Sequence, residues 1–105
     1  MLLKKIIEGI KIVKGQNISI LDLKNRNNFI CDYFIICEGK SQNQVYAIFQ
    51  SIEKTTIKTL NQTPWHIEGI KNGEWILIDY ISIVVHIFQT KIRLHYNIEN
   101  LWKKN

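Results

Sequence analysis

The chain has 105 residues, 46% of them hydrophobic and 22% charged, with a mean hydropathy of −0.09; this predicts one soluble domain around one core, and no apolar run approaches the roughly 18 residues a membrane span needs. The formal net charge of +5 and pI near 9.3 admit two readings: a surface for nucleic acid, or lysine accumulation in a chain from an A- and T-rich genome, since Ile makes up roughly a fifth of it and the lysines are scattered. Two cysteines with no C-x-x-C pair exclude a disulfide framework and give no support to a zinc or thioredoxin-like site.

In chain order, MLLKKIIEGIKIVKG places Leu3, Ile6, Ile7, Ile10 and Val13 at helical spacing, with lysines and Glu8 around the rest of the wheel and Gly15 where a helix ends. The same lysines interrupt every apolar run and no small-residue cleavage site follows, which argues against a signal peptide and for a cytoplasmic protein. Ile18–Leu23 reads as a strand and KNRNN as a loop. Asp32–Cys37 is a second strand, central in the sheet because it is apolar on both faces. Were Cys31 and Cys37 on that one strand, their Cα atoms would lie about 20 Å apart, far beyond the roughly 7 Å of a disulfide; buried free thiols are expected. Ser41 and Gln44 form an S-x-x-Q capping box, and Val45, Ile48, Phe49 and Ile52 continue as a helical stripe that ends near Leu60, before Pro64. His66–Gly69 is a short strand, Asn72-Gly73 a turn, and Glu74–Phe88 (EWILIDYISIVVHIF) a hairpin. Asn97 caps a last helix carrying Ile98, Leu101 and Trp102. The expected fold is α/β, a single domain over residues 1–105 with a mixed sheet of about five strands flanked by helices.

Catalytic signatures are missing. Gly39-Lys40-Ser41 lies between a strand and a helix, but a phosphate-binding loop needs glycine where Phe34 stands. His66, His86 and His95 occupy different elements at no metal-ligand spacing. There is no G-x-S-x-G and no carboxylate pair spaced to hold magnesium. No catalytic residue, metal or cofactor is assigned.

The hairpin is the informative segment. With a two-residue turn at Ile81-Ser82, Leu77 faces His86 and Trp75 faces Phe88. One face then gathers Ile76, Ile78, Tyr80, Ile83, Val85 and Ile87. The other gathers Trp75, Leu77, Asp79, Val84, His86 and Phe88. A carboxylate is unfavourable to bury unpaired, so the second face is expected to lie at least partly open as a protein-binding surface. The alternative is a covering helix, with Asp79 and His86 satisfying one another as diagonal neighbours.

The segments DYFIICEGKSQNQV (32–45), HIEG (66–69), WILIDYISIVVHIF (75–88) and RLHYNIENLW (93–102), in this order and spacing over most of the chain, resemble the ribosomal silencing factor family, also called the Iojap family. The resemblance implies a nucleotidyltransferase-like fold without known enzymatic activity. It implies docking on the large ribosomal subunit through the fourteenth large-subunit ribosomal protein. The small subunit is then blocked from joining, and translation is repressed when nutrients are scarce. It further implies a homodimer in many members, and the positive charge adds possible contact with ribosomal RNA. The absence of an Arg- and Ser-rich leader segment favours a bacterial over an organellar source. The motif residues carried over as partner-binding are Trp75, Leu77, Asp79, Tyr80 and His86, with Glu68 and Gly69 as weaker candidates; the face argument leaves Tyr80 inward or at the rim. Ile81-Ser82 departs from the Gly-Asp of the family pattern. Isoleucine resists positive φ, so either the turn changes type or the hairpin is strained. A competing function is an RNA- or nucleotide-binding domain using Lys40, Ser41 and the basic charge.

Overall fold

The computed structural model describes residues 1–25 and 31–103, with side chains through residue 101. In chain order the elements are α1 (Leu2–Ile12), β1 (Gln16–Asp22), β2 (Tyr33–Gly39), α2 (Gln42–Leu60), β3 (His66–Glu68), β4 (Trp75–Asp79), β5 (Ile83–Gln89), α3 (Thr90–Tyr96) and α4 (Ile98–Lys103). The five strands form one sheet in the order β1-β2-β5-β4-β3. Only β2 and β5 run parallel; the other three pairings are antiparallel. Most of the predicted KNRNN loop lies outside the described residues. No helix among the described residues is long and apolar enough to cross a membrane.

Local chemistry sets the element ends. The Ser41 Oγ accepts from the Gln44 backbone N–H at 3.1 Å and starts α2. The Gln44 side chain reaches back as a capping box should, but to the N–H of Lys40 at 2.8 Å, one residue earlier than expected. At the far end Asn61 takes the left-handed conformation, φ 53°, and closes the helix onto the Ile57 carbonyl. Helix α1 lies directly against α2 at Gly9. A Cβ there would come within 2.9 Å of the Ile52 Cα, and the Gly9 carbonyl accepts from Ser51 Oγ at 2.6 Å.

Helices α1 and α2 close one face of the sheet. Ile6, Ile10, Val45, Ile48, Phe49 and Ile52 pack on Ile35, Cys37, Ile76, Ile78, Val85 and Ile87. Cys31 precedes β2 rather than belonging to it; both cysteines are buried and unpaired. Burial pushes the Cys37 thiol up to about 12, so it stays protonated and unreactive.

The C-terminal segment differs from expectation. Instead of one helix from Asn97 there are two, and the first follows β5 without a loop. Helix α3 buries none of its residues fully. What holds it is Arg93. Its guanidinium donates two bonds to Glu99, at 2.9 and 2.8 Å, one to Glu38 at 2.9 Å, and one to the Asn17 carbonyl at 2.6 Å. Thr90 Oγ1 donates to the second Glu38 oxygen at 2.9 Å. This mostly buried network ties α3 and α4 to β1 and β2. A buried charge is tolerated only when its hydrogen bonds are met, so the network fixes where the two short helices sit more than it adds net stability.

The hairpin register agrees with the one read from sequence: Trp75 opposite Phe88, Leu77 opposite His86, Asp79 opposite Val84. The turn is strained, as the isoleucine predicts. Ile81 has φ 76°, and the Ser82 N–H bonds across it to the Tyr80 carbonyl at 2.9 Å. A positive φ is unfavourable for a β-branched residue by about 1–3 kcal/mol. Asp79 braces it, accepting from the Ile81 N–H at 2.7 Å. Ile81→Gly removes the strain at the expense of unfolded-chain entropy, so we expect a net gain of about 1 kcal/mol in urea unfolding. A lower unfolding midpoint for that variant would contradict the assigned turn.

Candidate functional site

The second face of the sheet is divided. Over β1, β2 and β5 it is closed by α3 and α4, and Leu21, Leu23, Cys31, Ile36 and Phe88 form a second, smaller core with Ile92 and Ile98 beside it. Over β4 and β3 it remains open. The face of Trp75, Leu77, Asp79, Val84, His86 and Phe88 is thus partly open, as expected, but His86, carried over as partner-binding, is not at the surface, and that assignment is corrected. Phe88 is fully buried and His86 is 5% exposed, because the C-terminal helices and Phe34 cover the β5 end of each cross-strand pair. Trp75, Leu77 and Asp79, on β4, are half-buried and still reach the surface. Tyr80 points the other way, into the first core, where its hydroxyl meets Thr56 Oγ1 at 2.8 Å; it anchors the hairpin to α2. The alternative Asp79–His86 pairing does not form, since Asp79 braces the turn and His86 bonds to Trp75.

Four of the sequence-derived residues meet in one place. Glu68, Gly69, Trp75 and Leu77 line an open cleft of ≈ 240 Å³ at the edge of the sheet. Gly69 has a backbone reason to be there. It takes φ 89°, and a Cβ on it would stand 2.0 Å from the Trp75 carbonyl oxygen. Only glycine lets the chain leave β3 this close to β4. Glu68 is exposed and holds His66 at 2.7 Å.

Trp75 is the centre of an aromatic group. Its ring lies 4.7 Å from Phe88 and 5.1 Å from Tyr96, and its Nε1–H donates to His86 Nδ1 at 3.1 Å. Sequence reading missed Tyr96 as a site residue, although it lies within the RLHYNIENLW segment. Its place beside Trp75 depends on the position of α3, which Arg93 sets. Trp65, 70% exposed and 5.8 Å from His66, was also missed; a single Trp beside a proline carries no periodic signal.

Charge is unevenly distributed between the elements. Strands β3, β4 and β5 carry Glu68 and Asp79 and no lysine or arginine. Helices α1 and α2, with Lys14 just past α1, carry six lysines against Glu8 and Glu53, most of the chain's net +5. Lys54 and Lys58 line a groove of ≈ 700 Å³ between α1 and α2. Among the described residues no group of three His, Cys, Asp or Glu side chains is placed to hold a metal ion.

Burial lowers the His86 imidazole from its usual 6.5 to about 4. The folded state therefore binds this proton less readily than the unfolded chain. Above pH 6.5 the ring is neutral in both states and no penalty arises; as pH falls from there toward 4 the unfolded chain takes up the proton first, and stability drops progressively by up to about 3 kcal/mol. We expect acid unfolding to shift to lower pH in His86→Leu, read by circular dichroism; an unshifted midpoint would remove His86 from that role.

The family model for ribosomal silencing factor during starvation matches residues 1–105. Ribosomal silencing factor RsfS of Halalkalibacterium halodurans is 33% identical over 101 residues, covering 96% of this chain and 85% of its own. A crystal structure of a protein from Chromobacterium violaceum has a TM-score of 0.89 at 31% identity, covering 99% of this chain and 85% of the other. More distant is the mouse protein named mitochondrial assembly of ribosomal large subunit protein 1, 30% identical over 73 residues, which are 68% of this chain and 32% of its own length. The chain belongs to the ribosomal silencing factor family.

Proposed function

We propose that this protein silences ribosomes by occupying space. It docks through the β3–β4 cleft on the large subunit, with the fourteenth large-subunit ribosomal protein as its seat, and so prevents the small subunit from joining. The observation that carries the reading is the cleft itself. A half-exposed Trp and Leu with an acidic rim, on a rigid sheet whose other end is closed, have the composition of a binding hot spot. The resemblance noted from sequence supplies the identity of the seat, and the mouse relative's name also speaks of the ribosomal large subunit. No chemistry is required, only affinity and position, and the protein is expected to act in the cytoplasm as a non-enzymatic repressor of translation.

The test is a sucrose gradient of purified subunits with and without the protein. Wild type is expected to travel with the large subunit and to reduce the joined particles. Trp75→Ala should weaken binding by about 2 kcal/mol, roughly thirtyfold. Leu77→Ala, less deeply packed, should weaken it by about 1 kcal/mol. Wild-type co-sedimentation by both variants would exclude the cleft as the docking surface.

A second contact is favoured by the six lysines of the helical layer. The lysines of the α1–α2 layer lie on the side of the sheet away from the cleft, where they can meet the phosphates of ribosomal RNA without competing with a protein seat. Each phosphate neutralised contributes about 0.7–0.9 to the slope of log affinity against log salt. Lys54→Glu with Lys58→Glu should therefore flatten that slope, for large-subunit binding, by roughly 1.4 to 1.8. An unchanged slope would leave these lysines as composition without a role.

A further inference from the structure

His86 occupies a position that an apolar residue would fill more favourably. It lies on β5 opposite Leu77, edge-on to Phe34 at 4.7 Å and in line with Phe88 at 6.3 Å, and it is 5% exposed. Because its Nδ1 accepts the Trp75 Nε1–H, the neutral ring carries its own proton on Nε2. That Nε2 is buried without a hydrogen-bond partner among the described residues. An unsatisfied buried donor is unfavourable, and such a group in a well-packed region calls for a reason. Leucine or phenylalanine would pack against the same rings and leave no polar atom stranded. What neither supplies is an acceptor beneath the indole of Trp75.

The contacts of Trp75 show what that acceptor adds. Phe88 and Tyr96 restrain the indole through ring packing, which is only weakly directional. A hydrogen bond at 3.1 Å is directional, and it selects which edge of the indole turns inward and which lines the cleft with Glu68, Gly69 and Leu77. We infer that His86 is a positioning residue: its bond to Trp75 holds the indole in the orientation that meets the partner, so that an apolar pocket on a ribosomal protein receives an already ordered anchor. This deepens the docking proposal and rests on it. Ordering one large side chain before binding, rather than during it, strengthens association by roughly three- to tenfold.

Two variants of matched shape test it. Leucine and asparagine are nearly isosteric, and the asparagine Oδ1 falls where the histidine Nδ1 stood. His86→Leu is expected to be at least as stable to urea as wild type, yet to bind large subunits roughly three- to tenfold more weakly. His86→Asn is expected to be less stable and to recover affinity relative to His86→Leu. Equal binding by His86→Leu and wild type overturns the inference, and so does a folded His86→Asn that binds no better than His86→Leu. A second readout needs no ribosome. The Trp75 indole N–H, assigned with Trp75→Phe, should give a downfield, exchange-protected proton resonance in the wild-type protein and lose both features in His86→Leu. A wild-type resonance exchanging as fast as that of exposed Trp65 overturns the inference as well. Undiminished binding by Trp75→Ala would count against the docking surface instead, leaving the hydrogen bond to be judged by its resonance alone.

Discussion

Arg93 is clamped between Glu38 of β2 and Glu99 of α4, with one more bond to the Asn17 carbonyl on β1, and its side chain is only 11% exposed. A guanidinium so placed must find acceptors for its N–H groups, and on the sheet it finds them at Glu38 of β2 and the Asn17 carbonyl of β1. The helices that carry Arg93 and Glu99 are seven and six residues long, about 10 Å each. Held at Glu38, they cover β1, β2 and β5 and stop at the edge of β4. The half-closed face follows from this one constraint, and with it the division of the hairpin into a sealed strand and a partly open one.

That division accounts for the chemical mixture along EWILIDYISIVVHIF. Isoleucines on one side meet two helices and need only be apolar. On the other side each polar or aromatic group has a separate task. Trp75 reaches the cleft, His86 lies beneath it, Phe88 closes the second core, and Asp79 restrains a turn that isoleucine alone would resist. Asp79 is thus partly committed within the chain, as Glu68 is to His66, which leaves the apolar surfaces of Trp75 and Leu77 freest to meet a partner.

Much of the fold was legible because it rests on periodicity. The stripe of α2 and the alternation of β4 and β5 each bury one continuous face, so spacing alone gave the helix and the hairpin register. Helix α3 was not legible, since TKIRLHY is held by an arginine reaching carboxylates on distant segments rather than by an apolar stripe. Alternation says which residues share a face but not what covers it; hence Trp75 and Leu77 stayed at the surface while His86 and Phe88 did not. Gly69 entered through family resemblance, and the clash a Cβ would make with the Trp75 carbonyl supplies its physical reason. The basic charge was ambiguous in sequence, where the lysines look scattered. In the fold, six of them belong to the helical layer on the face of the sheet opposite the cleft.

The central claim is that the uncovered half of the sheet is the surface that touches the ribosome. A photoreactive phenylalanine analogue placed at position 77, and separately at position 54, tests it directly after irradiation with purified large subunits. If the β3–β4 cleft is the seat, the probe at 77 attaches to a single ribosomal protein, identified by mass spectrometry as the fourteenth of the large subunit. Should the probe at 77 attach to nothing while the probe at 54 attaches to a ribosomal protein, docking occurs through the helical layer and the cleft is not the binding surface.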